Sequence, residues 1–218
     1  MLRQQALRCA TVALVVAAIG LVAPAPAFAT SAVQVITVRV YSATSTMGMF
    51  EAWQRPLAGG AYQRVYGPVR VYVGAGGVGV ASEYRSVTPA GNFALTETYG
   101  RLANPGTTLP YHVLDWSDWW ISDVNAAYYN MHYRCTVSCP FDRTKGEQML
   151  AAGSLYDYLA VINYNRSPVV KGAGSAFFLH VSHNQPTAGC VAIPEADLIW
   201  ILRWLKPAYA PIISIRVG

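Results

Sequence analysis

Charged side chains are scarce in this sequence: Asp, Glu, Lys and Arg together make up 12% of its 218 residues. The net charge is only +5, and most of the Arg residues are isolated from one another. A nucleic-acid-binding protein needs clustered Lys and Arg on one element, so nucleic acid is excluded as a partner. Internal repeats and inter-domain linkers are also missing, which favours a single domain.

The sequence has no apolar run long enough for a typical membrane span. Arg3 and Arg8 precede an apolar stretch over residues 10–23, and Ala27-Phe28-Ala29 matches a small-x-small cleavage site. The pattern predicts a cleaved signal peptide, residues 1–29, followed by one domain, residues 30–218. We therefore expect a protein secreted to the cell envelope, with no stable membrane insertion after cleavage. An uncleaved anchor is the alternative, although the run is short for it.

Cysteine is rare, and its count is informative. Removing the signal peptide removes Cys9 and leaves Cys135, Cys139 and Cys190. An odd number of cysteines in an oxidising compartment leaves one thiol over. Cys135 and Cys139 lie in one loop, "HYRCTVSCPFD", and we expect them to form a disulfide. Cys190 is then the free thiol.

A zinc site is the alternative for this loop, with His132, Cys135 and Cys139 as ligands. Structural zinc is bound by four ligands, and the only further candidate is the distant His112. The disulfide is therefore the preferred interpretation, and no metal site is predicted.

What the sequence does contain is β-forming residues, because it is rich in Tyr, Val, Gly and Trp. Apolar alternation and short apolar runs predict strands. The predicted strands lie in segments 33–42, 67–80, 88–95, 156–170, 175–181 and 211–218, the first half-buried and the last an edge or core strand. One helix is predicted after Pro194, because Leu198, Ile201, Leu202 and Leu205 repeat at helical spacing.

Residues 107–133 are crowded with Trp and Tyr but have no clean periodicity. A long loop that caps the core with aromatic side chains is one interpretation. A wall that faces a substrate is the other, because long loops in compact domains are often functional.

The segment "HVSHNQPTAGCVAIP", residues 180–194, places Cys190 ten residues after His180 and directly after Gly189. A cysteine nucleophile reacts as a thiolate, which a neighbouring imidazole and a helix N-terminus both favour. A glycine leaves room for a carbonyl group beside backbone N–H donors. His180 is the expected base because it ends a predicted strand, with His183 as a substitute or orienting group. A buried structural cysteine beside a core histidine is the alternative.

These motifs resemble a known family. "TPAGNFAL", "SAFFLHV" and "PTAGCVAIPEADL", together with "YYN" at residues 128–130, are similar to the L,D-transpeptidase catalytic domain, the YkuD-like family of bacterial cell-wall enzymes. The chain looks closest to a secreted branch with a short loop between histidine and cysteine. The resemblance extends from about Val35 to the end. It implies a mostly β fold, a mixed β-sandwich with short helices in a single domain.

The resemblance also implies acyl transfer on peptidoglycan stem peptides, without metal or organic cofactor. Cys190 would attack a stem tetrapeptide and release the terminal D-alanine, and the thioester would pass to the amine of a neighbouring stem. His180 would act as general base and then acid. Gly189 and Cys190 would be oxyanion donors, and Thr187 the hydroxyl that precedes them. An L,D-carboxypeptidase and a non-catalytic cell-wall binding module are the alternatives.

Two positions depart from the family pattern. The family usually has a histidine before the glycine and a polar residue two places after the cysteine, where this chain has Ala188 and Ala192. The second departure removes a group expected to bind the substrate carboxylate. Another cation would have to replace it, with Arg85, Arg134 and Lys171 as the candidates.

Overall fold

A computed structural model describes residues 32–218. The predicted signal peptide, residues 1–29, lies outside the described residues, so its cleavage and the domain start at residue 30 stay predictions. Between residues 32 and 218, no helix is both long enough and apolar enough to cross a bilayer.

Within residues 32–218 the chain forms fourteen strands, one α-helix and three 3₁₀ helices. The strands are β1 Gln34–Val40, β2 Met47–Gln54, β3 Gln63–Tyr72, β4 Val78–Gly79, β5 Thr88–Pro89, β6 Gly91–Gly100, β7 Tyr111–Val113, β8 Asp118–Ile121, β9 His132–Arg134, β10 Gly146–Gln148, β11 Leu159–Ile162, β12 Phe178–Val181, β13 Val191–Ile193 and β14 Ile212–Val217. The helix α1 is Glu195–Trp204, and the 3₁₀ helices are Arg143–Lys145, Met149–Tyr156 and Pro207–Tyr209.

Nine strands form the main sheet in the order β11-β12-β13-β3-β2-β1-β14-β6-β7. The sheet closes on itself because β6 also pairs with β11. Parallel and antiparallel pairs both occur, as in β12 with β13 and β1 with β2. The fold class predicted from the sequence, a mostly β single domain with short helices, is confirmed.

The first strand is buried on both faces, unlike the half-buried strand that its alternation predicts. β1 lies between β2 and β14, and its apolar side chains Ile36 and Val38 enter the main core. On the opposite face the Trp53 indole covers Thr37 and donates a hydrogen bond to its Oγ1 at 3.1 Å. The polar residues of the alternation are therefore covered instead of solvated.

The predicted helix is confirmed and closes the main core. α1 begins directly after Pro194, and the four leucine and isoleucine side chains at helical spacing are fully buried. The last predicted strand, β14, lies between β1 and β6 and is therefore a core strand.

The aromatic segment 107–133 contains three short strands, β7, β8 and β9, instead of one long loop. β8 pairs with β9 and β10 in a small three-stranded sheet. Trp120 of β8 is buried and packs edge-on against Phe178 of β12, with ring centroids 4.9 Å apart. Cys135 and Cys139, just after β9, form the predicted disulfide.

Candidate functional site

One cavity of about 510 Å³ collects all the site residues predicted from the sequence. Its walls include His180, His183, Thr187, Gly189 and Cys190. The cavity lies where the main sheet meets the small sheet, since β10 also lines it through Glu147.

Strand pairing places the thiol and one imidazole on the same face of the main sheet. β12 and β13 are parallel neighbours, with His180 opposite Ala192. Two residues before this pair on each strand, Phe178 N–H donates to Cys190 Sγ at 3.4 Å. Because side chains alternate along strands, His180 and Cys190 point to the same side, two residues apart in register.

Cys190 is the free cysteine of residues 32–218, and its thiol is largely buried, with 8% of the residue exposed. The thiol donates a hydrogen bond to the Ala176 carbonyl at 3.3 Å. Burial, the largest effect, and the nearby Glu147 carboxylate raise the pKa of the Cys190 thiol to about 12, and the Phe178 N–H opposes them. With this pKa the resting thiol carries its proton at pH 7, so the attacking thiolate has to form during the reaction.

The His180 imidazole is buried and has a defined tautomer. Its Nδ1–H donates to the Val181 carbonyl at 2.8 Å, which leaves the lone pair on Nε2. Burial lowers the pKa of His180 to about 4; the hydrogen bond to Val181 opposes this shift and His183 adds to it. The imidazole is therefore neutral at pH 7 and able to accept a proton at Nε2.

The turn before the cysteine depends on glycine and threonine. Gly189 has a φ of +146°, and a Cβ there would lie 2.7 Å from the Phe177 ring, so a side chain is excluded. Thr187 Oγ1 accepts from the Gly189 N–H at 3.1 Å and donates to the Cys190 carbonyl at 2.7 Å. Thr187 thus holds the backbone around the thiol. The Gly189 N–H has to exchange this partner before it can bind an oxyanion.

A family model for the L,D-transpeptidase catalytic domain, the YkuD domain, matches residues 58–213. The chain belongs to this family. Comparisons with curated proteins and with solved structures give no match.

Within this L,D-transpeptidase domain, the helix after the cysteine is not at the site. From the sequence we expected the N-terminus of α1 to favour a thiolate at Cys190. Instead β13 separates Cys190 from the helix, and three strand residues span about 10 Å. Among the described residues, no side chain of α1 lines the cavity. The dipole effect falls off within the first turn of a helix, so the helix does not lower this pKa.

His183 and one candidate cation lie at the exposed part of the L,D-transpeptidase cavity. His183 is exposed in the loop after β12, and its Nε2 is 3.0 Å from Ser154 Oγ. Arg85 lines the cavity and donates to the Val80 carbonyl at 2.8 Å. Arg134 is paired with Asp115 on the small sheet instead, and Lys171 is not among the lining residues.

The aromatic residues of segment 107–133 do not form a wall of this cavity. Only Ser122 of that segment lines it. Trp119, Trp120 and Tyr129 are buried. Aromatic side chains that pack inside the domain therefore fit the structure better than a wall facing this cavity, but Trp119 and Trp120 lie on a short strand and not on the long loop that we expected.

A half-buried acid in the cavity, Glu147, was not predicted from the sequence. Glu147 accepts a hydrogen bond from the Tyr156 hydroxyl, and the Tyr156 ring packs edge-on against His180 at 5.6 Å. Burial raises the pKa of Glu147, while the hydrogen bond from Tyr156 opposes that shift. Nothing in the surrounding sequence, "KGEQML", marks this glutamate, because only the pairing of β10 with β8 brings it to the site.

Proposed function

We propose that the chain is a cysteine-dependent L,D-transpeptidase that acts on peptidoglycan stem peptides outside the cytoplasm. One observation carries the proposal: the free thiol of Cys190 and the neutral imidazole of His180 line one cavity from the same face of the main sheet, two residues apart in register. In a chain of this family, that pair has the composition that thiol acyl transfer requires.

The resting pair is neutral, so we assign general-base chemistry instead of a preformed thiolate. The Val181 carbonyl holds the proton on His180 Nδ1 and presents Nε2 as acceptor. A pKa of about 12 keeps the proton on Cys190 until substrate arrives. The proton then moves from Sγ to Nε2 as sulfur attacks, which avoids a buried, unpaired anion.

Acylation releases the terminal D-alanine of the stem. The Sγ–carbon bond forms as the carbonyl electron pair moves onto oxygen, and backbone N–H groups at Gly189 and Cys190 stabilise this oxyanion. The intermediate collapses, the carbon–nitrogen bond breaks, and protonated His180 gives its proton to the leaving amine. A thioester on Cys190 remains.

Transfer repeats these steps in reverse. The amine of a second stem attacks the thioester and loses a proton to His180, and the Sγ–carbon bond breaks as sulfur is reprotonated. Water in place of the amine would give an L,D-carboxypeptidase, with the same residues in the same roles.

We assign the substrate carboxylate to Arg85. The family's polar residue is replaced by Ala192, which is buried on β13. Of the three cations considered from the sequence, Arg85 is the one that lines the cavity. A guanidinium suits this role because it binds a carboxylate with two parallel hydrogen bonds.

Mass spectrometry tests the proposal directly. The purified protein, incubated with a disaccharide-tetrapeptide or a carbapenem, should gain an acyl adduct on the peptide that contains Cys190. Cys190→Ala should abolish the adduct, whereas Cys135→Ser, in the disulfide loop, should keep it. Absence of any adduct in the parent protein, with murein binding that survives Cys190→Ala, would instead identify a binding module.

Product analysis then separates the two reactions. With disaccharide-tetrapeptide as both donor and acceptor, transpeptidation gives a cross-linked dimer and one free D-alanine. Hydrolysis gives a disaccharide-tripeptide and one free D-alanine, with no dimer. We expect the dimer, and exclusive formation of the tripeptide would reassign the protein as a carboxypeptidase.

A further inference from the structure

Two histidines and one aspartate converge outside the cavity, at the junction between the main sheet and the small sheet. We call His112, Asp118 and His132 the histidine–aspartate cluster. His112 lies on β7 of the main sheet, whereas Asp118 and His132 lie on β8 and β9 of the small sheet. None of these three residues lines the cavity that contains Cys190.

We propose that this cluster is a binding site for a zinc-like divalent metal ion. His112 Nε2 and His132 Nε2 lie 3.0 and 2.8 Å from the same oxygen, Asp118 Oδ1. The three ligand atoms are all within 4.8 Å of one another. Zinc bonds of about 2.0–2.1 Å in a tetrahedron place ligand atoms roughly 3.3 Å apart, so small side-chain shifts suffice.

The carboxylate is already oriented for such a role. The Asp118 side chain is fully buried, and its Oδ2 accepts the Asp115 backbone N–H at 2.7 Å. This bond leaves Oδ1 directed at the two imidazoles. Groups that orient a ligand in this way typically strengthen metal binding by tenfold or more, because the ligand loses less freedom.

The two imidazoles are held as well, and they remain accessible. The Tyr99 ring packs against His112 and His132, with ring centroids 5.8 and 5.0 Å away. The His112 and His132 side chains are 35% and 19% exposed, so an ion has a path from solvent.

The donor set selects the class of metal. Two imidazole nitrogens and one carboxylate oxygen suit zinc and its first-row neighbours, whereas calcium and magnesium prefer oxygen ligands alone. Three protein ligands leave one coordination position for water or an anion. The site differs from the zinc site considered in the loop, because Cys135 and Cys139 are joined in a disulfide and supply no thiolate.

The Arg134 guanidinium opposes metal binding at the cluster. Arg134 Nε lies 3.5 Å from Asp118 Oδ1, and the same guanidinium contacts Ser117 Oγ and the Asp115 carboxylate. A guanidinium this close repels a metal ion and competes for the ligating oxygen. Removing it should therefore strengthen metal binding.

A bound metal ion would link the main sheet to the small sheet. A metal ion held by β7, β8 and β9 would join the edge of the main sheet to the small sheet. That small sheet delivers Glu147 to the cavity. Because the ion binds the folded state only, it should raise the stability of the protein.

Isothermal titration calorimetry with Zn²⁺ tests the proposal. The metal-stripped, oxidised protein is used in a Cys190→Ala background, so that no free thiol in residues 32–218 can bind the ion. We expect one ion per chain and a rise in the midpoint of thermal unfolding. His112→Gln and His132→Gln should each weaken binding by at least about tenfold, and Arg134→Gln should strengthen it.

His183→Gln is the matched control, since it removes an exposed histidine outside the cluster and should leave binding unchanged. Co²⁺ gives an independent readout, because its visible absorption reports tetrahedral coordination in the parent and its loss in the histidine variants. Circular dichroism in the absence of metal verifies that each variant is folded. Lack of binding in the parent, or binding that both cluster variants retain, overturns the proposal.

Discussion

The cavity and the histidine–aspartate cluster use imidazoles in opposite surroundings. In the cavity, His180 has only a backbone carbonyl as partner, and burial lowers its pKa to about 4. In the cluster, burial also lowers the pKa of His132, but the Asp118 carboxylate opposes that shift. The comparison indicates that the hydrogen-bond partner of a buried histidine influences its protonation state. A backbone carbonyl fixes the neutral tautomer of His180, whereas the carboxylate beside His132 partly offsets the lowering of its pKa by burial.

The surroundings of Cys190 determine the protonation state of its thiol in the same way. Cys190 is buried among apolar side chains, including Phe178 and Tyr156, and Glu147 is the nearby charged group that raises its pKa. Without a positive partner, the thiol stays protonated. The Cys190–His180 pair is therefore neutral until reaction begins, whereas the two imidazoles of the cluster share one carboxylate oxygen.

The largest expected effect is a loss of activity on replacing His180, and replacing His132 should have a much smaller effect. His180→Gln should lower kcat/KM for dimer formation by about 10²–10⁴-fold, because it removes the general base. His132→Gln, assayed without added metal, should cost at least tenfold less, because His132 lies outside the cavity. Steady-state kinetics with disaccharide-tetrapeptide measures both. Equal losses in the two variants would break the distinction between the regions.

The pH profile tests the neutral state of His180. The reactive form needs an unprotonated imidazole, so activity is retained above the pKa of His180 and lost below it. With that pKa at about 4, kcat/KM for acylation should be level from pH 6 to 8 and fall only as the pH approaches 4. Stopped-flow acylation by a carbapenem gives the profile. An acid limb centred near 6.5 would mean that His180 is hydrated like an exposed histidine.

The disulfide should matter for stability and not for the thiol chemistry. Cys135 and Cys139 are four residues apart. Closing so short a loop restricts the unfolded chain, and the lost entropy stabilises the folded state by about 2 kcal/mol. The double variant Cys135→Ser/Cys139→Ser should lose about that much unfolding free energy in urea denaturation. Its acyl adduct on Cys190 should form at the parent rate. A slower rate would show that the disulfide loop affects the reactivity of Cys190, which contradicts this prediction.

The smallest effect concerns the half-buried acid. Glu147→Gln removes a carboxylate that raises the pKa of Cys190, so the thiol should ionise more easily. Alkylation by iodoacetamide at pH 8.5, followed by mass spectrometry, should accelerate by up to about tenfold. Glu83→Gln, which alters another carboxylate on the cavity wall, is the control and should change the rate less. A slower reaction in Glu147→Gln would mean that Glu147 does not raise the pKa of Cys190.

Local patterns predicted much of the fold. The strands around residues 33–42 and 175–181 and the helix after Pro194 were recognisable, because each has apolar residues at its own period and occupies the core. Segment 107–133 was not resolved into strands, because β7, β8 and β9 are short and their residues show no clean apolar period. Strands this short depend on their partners more than on their own sequence.

The candidate site was predictable in its composition and not in its electrostatics. His180, Gly189 and Cys190 lie within one short stretch, so a strand and its return loop had to bring them close. Glu147 and Tyr156 reach the cavity from another part of the chain. Their effect on the thiol could not be anticipated from neighbouring residues.

The sequence by itself determined which residues form the main strands and the helix, and that one cysteine remains without a partner beside a histidine. These properties depend on neighbours along the chain. Only the tertiary structure decided that the thiol and the imidazole are neutral, that Glu147 faces them, and that His112 meets His132 across Asp118. Charge states depend on burial, and burial depends on which distant segments pack together.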